Sequence, residues 1–151
     1  MNPSLVAKQI LAQEWDHSLP VNPVTLADRM GIRVFSADIS PLGGYYVEEE
    51  KAIVINSDDS QVRQRFSVAH ELGHHVLMHG SSPRSNEQKY TQSSYIPKEY
   101  EANAFAAELL MPEEAVRAFV EQKGASFEQM LDAFGVSRQA LTIRLQTLGY
   151  I

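Results

Sequence analysis

The sequence predicts an α+β fold: a small sheet of three or more strands packed on one central amphipathic helix, followed by an all-helical C-terminal part. Three observations carry this prediction. Residues 32–35, 45–47 and 52–55 are short runs rich in Val, Ile, Tyr and Phe, side chains that suit a pleated, half-buried surface, and turn residues bound them. Val62, Phe66, Ala69, Leu72, Gly73 and Val76 then recur at three- and four-residue steps, the period of one buried helix face. From Pro97 onward the apolar residues keep helical spacing.

The elements follow in order. Residues 3–15 read as a helix with Leu5, Val6 and Ile10 available to pack. Asn22 is an N-cap before Pro23, whose fixed φ suits the first helical position, and Gly31 closes that short helix after Met30. A first strand covers residues 32–35. After the loop 40–44, Tyr45-Tyr46-Val47 and Ala52-Ile53-Val54-Ile55 make a hairpin round Glu48-Glu49-Glu50-Lys51. Asp58, Asp59 and Ser60 provide acidic and capping groups where the central helix starts, and Gly80 is its stop. Residues 81–95 form a long polar loop of the kind that serves as a functional lid or simply moves. Pro97 opens the next helix, Met111-Pro112 breaks it, and Glu113 and Glu114 occupy the favourable first turn of another that ends at Gly124. Residues 126–134 and 138–148 form two last helices joined by Gly135-Val136-Ser137. The expected organisation is a unit of residues 1–123 with a segment of residues 124–151 packed on it.

Composition narrows the chemistry. A chain of 151 residues with 44% hydrophobic content is long enough for a true core and too apolar for general disorder. The net charge of −6 weighs against a dominant phosphate-binding surface. Without cysteine there is no disulfide framework and no thiolate metal site, so any metal must be held by His, carboxylate and water. Met1 to Ile10 lacks the charged and apolar regions of an export signal, and no run approaches 20 apolar residues; the expected compartment is the cytoplasm, with no membrane partner.

At the centre of the predicted helix stands His70-Glu71-Leu72-Gly73-His74, an H-E-x-x-H motif. Residues four apart on a helix stack one turn above the other, so both imidazoles leave one face and can present two nitrogen ligands to one Zn²⁺. Glu71 lies about 100° round from His70, on the flank from which a carboxylate can act as general base toward water. A catalytic zinc site needs a third protein ligand and an open position. His75 and His79, five and nine residues from His70, point away from that face, and no third histidine follows at the metzincin spacing. A carboxylate is therefore expected from the next helix, where Glu99, Glu101 and Glu108 are available; a helical wheel puts both Glu99 and Glu101 on flanks of the apolar face and does not choose between them. Tyr45, Tyr46, Tyr95, Tyr100 and His75 are candidate oxyanion donors or substrate contacts, each also suited to packing. The edge at Tyr45-Tyr46-Val47 is the candidate strand against which an extended peptide would lie.

The block from Phe66 to His74, together with Glu101-Ala102-Asn103-Ala104-Phe105-Ala106-Ala107-Glu108-Leu109-Leu110-Met111-Pro112, resembles the ImmA/IrrE family of bacterial zinc metallopeptidases, gluzincin-like enzymes. The similarity extends to Gly44-Tyr45-Tyr46 and Ile53-Val54-Ile55-Asn56 upstream, and to Phe134-Gly135-Val136-Ser137 and Arg144-Leu145 downstream. The resemblance implies Zn²⁺ held by His70, His74 and Glu101, with Glu71 as general base; Asn103 would then either support the ligands from behind or pack, and packing is favoured. It further implies an endopeptidase acting on a regulatory protein, such as a helix-turn-helix repressor or antitoxin encoded nearby, in stress response or mobile-element control. The competing expectation is a regulatory module, or a toxin–antitoxin component, that binds a repressor or DNA without cleavage.

The tail bears on that alternative. Residues 126–148 have the outline of a helix-turn-helix, with Arg138, Gln139, Thr142 and Arg144 available to a DNA groove or a partner. Beyond Gly124, however, Arg138 and Arg144 are balanced by Glu128 and Asp132, which disfavours DNA and favours packing or repressor docking.

Overall fold

The computed structural model describes residues 1–82 and 92–151, with side chains to Ser82 and from Pro97 onward. Helix α1 (Pro3–Glu14) is capped by the Asn2 side chain, which accepts from Leu5 N–H at 3.1 Å. Helix α2 (Pro23–Arg29) is capped by Asn22, and Gly31 follows with φ +79°. Strands β1 (Arg33–Ala37), β2 (Gly44–Val47) and β3 (Ala52–Asn56) make one sheet in the order β1-β3-β2. β3 runs parallel to β1, with Phe35 opposite Val54, and antiparallel to β2, with Tyr46 opposite Ile53.

Helix α3 (Gln61–Val76) starts at Ser60, whose hydroxyl accepts from Arg63 N–H at 3.3 Å. It lays its apolar stripe on β2, β3 and the long helix α4 (Gln92–Leu110), which in turn packs on α1. α4 begins five residues before Pro97, so the proline lies inside the helix rather than opening it. α5 (Glu113–Arg117) runs directly into a π-helical turn, Ala118–Gln122. Helices α6 (Phe127–Phe134) and α7 (Arg138–Thr147) complete the chain.

One core binds these parts. Leu26, Ile53, Val68, Leu72, Phe105 and Leu109 belong to the same buried cluster as Met130, Phe134, Leu141 and Leu145 of the tail. Arg65 on α3 adds polar stitches to that junction, donating from Nε to Gly135 O at 3.2 Å and from Nη2 to Val21 O at 2.5 Å. Ser126 and Gln129 form a reciprocal capping box, and Gly135 takes the left-handed conformation that ends α6.

The tail corrects part of the sequence expectation. Arg144 is no surface contact for DNA: its side chain is 5% exposed, Nη2 donates to Glu108 Oε1 at 2.6 Å, and Nε donates to Met111 O at 3.0 Å. It shares a helix face with Leu141, three residues back, and that face is the one buried. Arg138 is exposed, pairs with Glu128 at 2.6 Å and lies over the Phe127 ring; Gln139 is exposed, and the Thr142 hydroxyl donates back to Arg138 O at 2.8 Å.

Candidate metal centre

The site forms where α3 crosses α4. Gly73 permits the close approach: a Cβ there would lie 3.1 Å from Phe105 Cδ1 and 3.3 Å from both Cα and O of Ala102. Two backbone atoms in that shell cannot swing aside as a side-chain tip can, so glycine outweighs its poor helix propensity. On the face so created, His70 Nε2 and His74 Nε2 lie 3.1 Å apart. Glu99 completes the group, with Oε2 at 2.9 Å from His70 Nε2 and Oε1 at 3.0 Å from His74 Nε2.

Glu99 thus occupies the place that the resemblance implies for Glu101. The two residues are separated by about 200° on the helix, so only one can face the imidazoles. Glu101 instead accepts from His79 Nε2 at 2.7 Å. Around a tetrahedral ion with ligand distances near 2.1 Å, donor atoms stand roughly 3.4 Å apart, a few tenths of an ångström beyond the separations of 2.9–3.1 Å among these three groups. The donor set of two imidazoles and one carboxylate is also that of known catalytic zinc sites. The residues present therefore fit Zn²⁺.

The far sides of both imidazoles are engaged. His70 Nδ1 lies 2.8 Å from Asn103 Oδ1, so Asn103, expected to pack, orients a ring of the site. His74 Nδ1 lies 2.9 Å from His79 Nδ1. For a cation held at Nε2, each ring would carry its proton on Nδ1 toward that neighbour, leaving both Nε2 lone pairs inward. Burial pulls the His70 imidazolium down, but the Glu99 hydrogen bond and the nearby carboxylates outweigh it and raise its pKa. Burial likewise pushes Glu99 up, yet hydrogen bonds from His70 and His74, with their charges, hold it at about 2.

Glu71 is buried beside this group, its Oε2 4.0 Å from His70 Nε2. Burial raises its pKa against the lowering effects of His70 and of Ser82. Ser82 Oγ donates to Glu71 Oε1 at 2.7 Å, and Ser82 pairs as an isolated bridge with Tyr46 of β2, N–H to O at 2.5 and 2.8 Å. The β2 edge expected to take a peptide is therefore already paired at Tyr46. Gly44 brings β2 over the base, because a Cβ there would meet Glu71 Cγ at 3.5 Å and Val54 O at 3.1 Å.

The aromatic candidates separate. The Tyr46 side chain is buried and its hydroxyl lies 2.6 Å from His75 Nδ1, tying those two candidates to each other. Tyr45 is half-buried on β2, and Tyr100 is 70% exposed. The Tyr95 side chain and the greater part of the 81–95 loop lie outside the described residues. Sequence reasoning set His79 aside as a ligand without finding its place behind His74, and it missed Ser82. The signal for His79 was Gly80, which marks a chain reversal that ends the helical phase; Ser82 carried none.

Comparison with known proteins agrees with this architecture. Residues 27–146 match the family described as peptidase M78, the IrrE N-terminal-like domain. The chain is 38% identical over 104 residues to the "uncharacterized immunity region protein 2" of Bacillus phage phi105, covering 65% of this chain and 63% of that protein. It is 34% identical over 89 residues to the radiation response metalloprotease IrrE of Deinococcus radiodurans, covering 56% of this chain and 27% of that one. To the metallopeptidase ImmA of Bacillus subtilis it is 27% identical over 135 residues, 85% of this chain and 77% of the other. A transcriptional regulator of Mycobacterium tuberculosis shares the fold with a TM-score of 0.73 at 19% identity, over 97% of this chain and 47% of that one. The chain thus spans less than two thirds of the phage protein, of IrrE and of the regulator.

Proposed function

The chain belongs to the peptidase M78 family, that of the IrrE N-terminal-like domain, and from that membership we propose that it is a zinc-dependent endopeptidase that cleaves a regulatory protein. The observation that carries the reading is the convergence of His70, His74 and Glu99 with Glu71 alongside. His70, His74 and Glu99 would hold Zn²⁺, which when bound supplies a Lewis acid that polarises the scissile carbonyl and acidifies water. Glu71 accepts the proton of the attacking water as its oxygen bonds to the carbonyl carbon, then delivers that proton to the leaving nitrogen as the C–N bond breaks. Its burial favours the neutral form and so suits a carboxylate that must both take and return a proton.

The substrate class we favour is a helix-turn-helix repressor or antitoxin encoded nearby. The immunity-region origin of the phage relative and the metalloprotease names of IrrE and ImmA support that choice. A second reading, binding without cleavage, draws on Ser82, which engages both Tyr46 backbone groups and Glu71. One experiment separates them: incubate the purified chain with the neighbouring repressor, with and without chelator, and follow fragments by mass spectrometry. Chelator-sensitive cleavage that falls by about 10²–10⁴-fold in Glu71→Gln, with zinc retained, supports the peptidase. A stable complex with no fragments supports the binding module.

A further inference from the structure

The resemblance places a zinc ligand at Glu101, and the structure turns that carboxylate toward His79 instead. We propose that His79 and Glu101 form a two-member relay that fixes the proton and the plane of the His74 imidazole, a positioning pair for the metal centre. The inference rests on the reading of His70, His74 and Glu99 as the zinc site.

The hydrogen-bond directions leave one neutral arrangement. If His74 offers its Nε2 lone pair to a cation, its proton sits on Nδ1 and must be donated. The acceptor 2.9 Å away is His79 Nδ1. His79 then carries its own proton on Nε2, and Glu101 Oε1 accepts it at 2.7 Å. Each ring has one donor and one acceptor, and both are used. The relay ends in a carboxylate, in the manner of a carboxylate–histidine–metal arrangement, here lengthened by one imidazole.

The backbone is shaped to make this contact. α3 ends at Val76, and Met78, a non-glycine residue, takes φ +62° with its side chain in solvent. Such a conformation costs about 1 kcal/mol or more and persists where surrounding contacts impose it. The turn brings His79 back so that its N–H donates to His74 O at 2.9 Å, and its side chain is left only 7% exposed against the ring it supports. His70 has a simpler support, the neutral amide of Asn103. The two ligands are thus oriented by unlike devices, and only the His74 side carries a charged terminus.

The test measures metal binding by the full chain. Zn²⁺ affinity is read by competition with a chromophoric chelator, and Co²⁺ is used for its visible absorption. His79→Phe, which fills the space without an acceptor, and Glu101→Leu, which strands the His79 N–H, should each lower Zn²⁺ affinity by about 10–100-fold and alter the cobalt band. His79→Asn and Glu101→Gln retain an acceptor at the required position and should restore most of the loss. Because Glu101 acts through His79, the double variant His79→Phe/Glu101→Leu should bind no more weakly than His79→Phe alone. Thermal midpoints of the metal-free variants control for folding. Glu101, 44% exposed, supplies the same test if His79→Phe fails to fold.

Affinity and spectrum unchanged in both non-accepting variants, or additive losses in the double variant, would overturn the relay while leaving the zinc site standing. Stoichiometric binding lost in Glu101→Leu but kept in Glu99→Ala would make Glu101 the ligand and overturn the relay. A wild-type chain that binds neither ion would overturn the metal-centre reading and the relay with it.

Discussion

The two halves of α4 treat a carboxylate in opposite ways. In the first half, Glu99 meets two imidazoles at 2.9 and 3.0 Å and keeps 27% of its side chain exposed. Nine residues on, Glu108 is 3% exposed; one oxygen accepts from Arg144 at 2.6 Å and the other from Glu113 N–H at 2.9 Å. The Glu108 end is closed, because a guanidinium is always charged and both carboxylate oxygens are occupied. The Glu99 end is open, because its imidazoles can be neutral and their Nδ1 partners leave both Nε2 atoms free to face a cation shared with the carboxylate. A buried charge neutralised by its own neighbours builds architecture; donors aimed at one another with their protons sent outward build a cation site.

The largest expected effect tests that distinction directly. Glu99→Ala should abolish stoichiometric zinc, measured by metal analysis after dialysis, while Glu108→Ala should leave the zinc content of the folded protein intact. Zinc retained in Glu99→Ala would erase the contrast. On stability the order reverses. Glu108→Ala strands Arg144 in the core and should lower the unfolding free energy by about 3–5 kcal/mol, read from urea denaturation of the metal-free protein, where Glu99→Ala costs less because Glu99 reaches solvent.

A smaller effect concerns the spacing of the helices at the open end. Gly73→Ala places a methyl 3.1–3.3 Å from Phe105 and the Ala102 backbone. Overpacking costs about 1–3 kcal/mol, against a gain of about 1 kcal/mol in helix propensity. The net loss should appear in the urea midpoint. Zinc affinity should fall with it, since pushing on Ala102 moves the helix that carries Glu99 and Asn103. An unchanged affinity would show that the open end tolerates a shift between α3 and α4.

The same contrast explains what was readable in the chain. The hairpin, the α3 stripe and the Ser60 cap depend on local chemistry and on periods that a sequence displays. His70 and His74 share a helix, so their meeting is a matter of spacing alone. Glu99 was underdetermined, because the choice between it and Glu101 depends on how α4 is rotated against α3, a tertiary quantity that a wheel does not contain. Helical phase sets His79 aside as a ligand, and its approach to the far side of His74 depends on the turn that follows once α3 stops at Val76. The helix-turn-helix outline offers Arg144 as a contact for DNA or a partner, although its i−3 relation to Leu141 places it on the buried face. Elements follow from local rules; the identity of partners across elements does not.

The smallest expected effect lies just outside the closed end. Glu113, whose N–H serves Glu108, sends its own carboxylate outward between Lys8 at 2.9 Å and Arg117 at 2.7 Å. Hydrogen bonds from Lys8 and Arg117 hold its pKa at about 2, below the ordinary 4.5. A depressed carboxylate pKa contributes stability above the unfolded value, and that contribution disappears as pH falls from about 4.5 toward 2. Water screens this pair far more than it screens Glu108 and Arg144, so the contribution should be below about 1 kcal/mol. The difference in unfolding free energy between wild type and Glu113→Gln should be present near pH 6 and shrink toward about pH 3. It should also shrink in high salt, where the Glu108→Ala deficit should change little. A salt-insensitive Glu113 effect would mean that the closed region extends outward through Glu113 and includes Lys8 and Arg117.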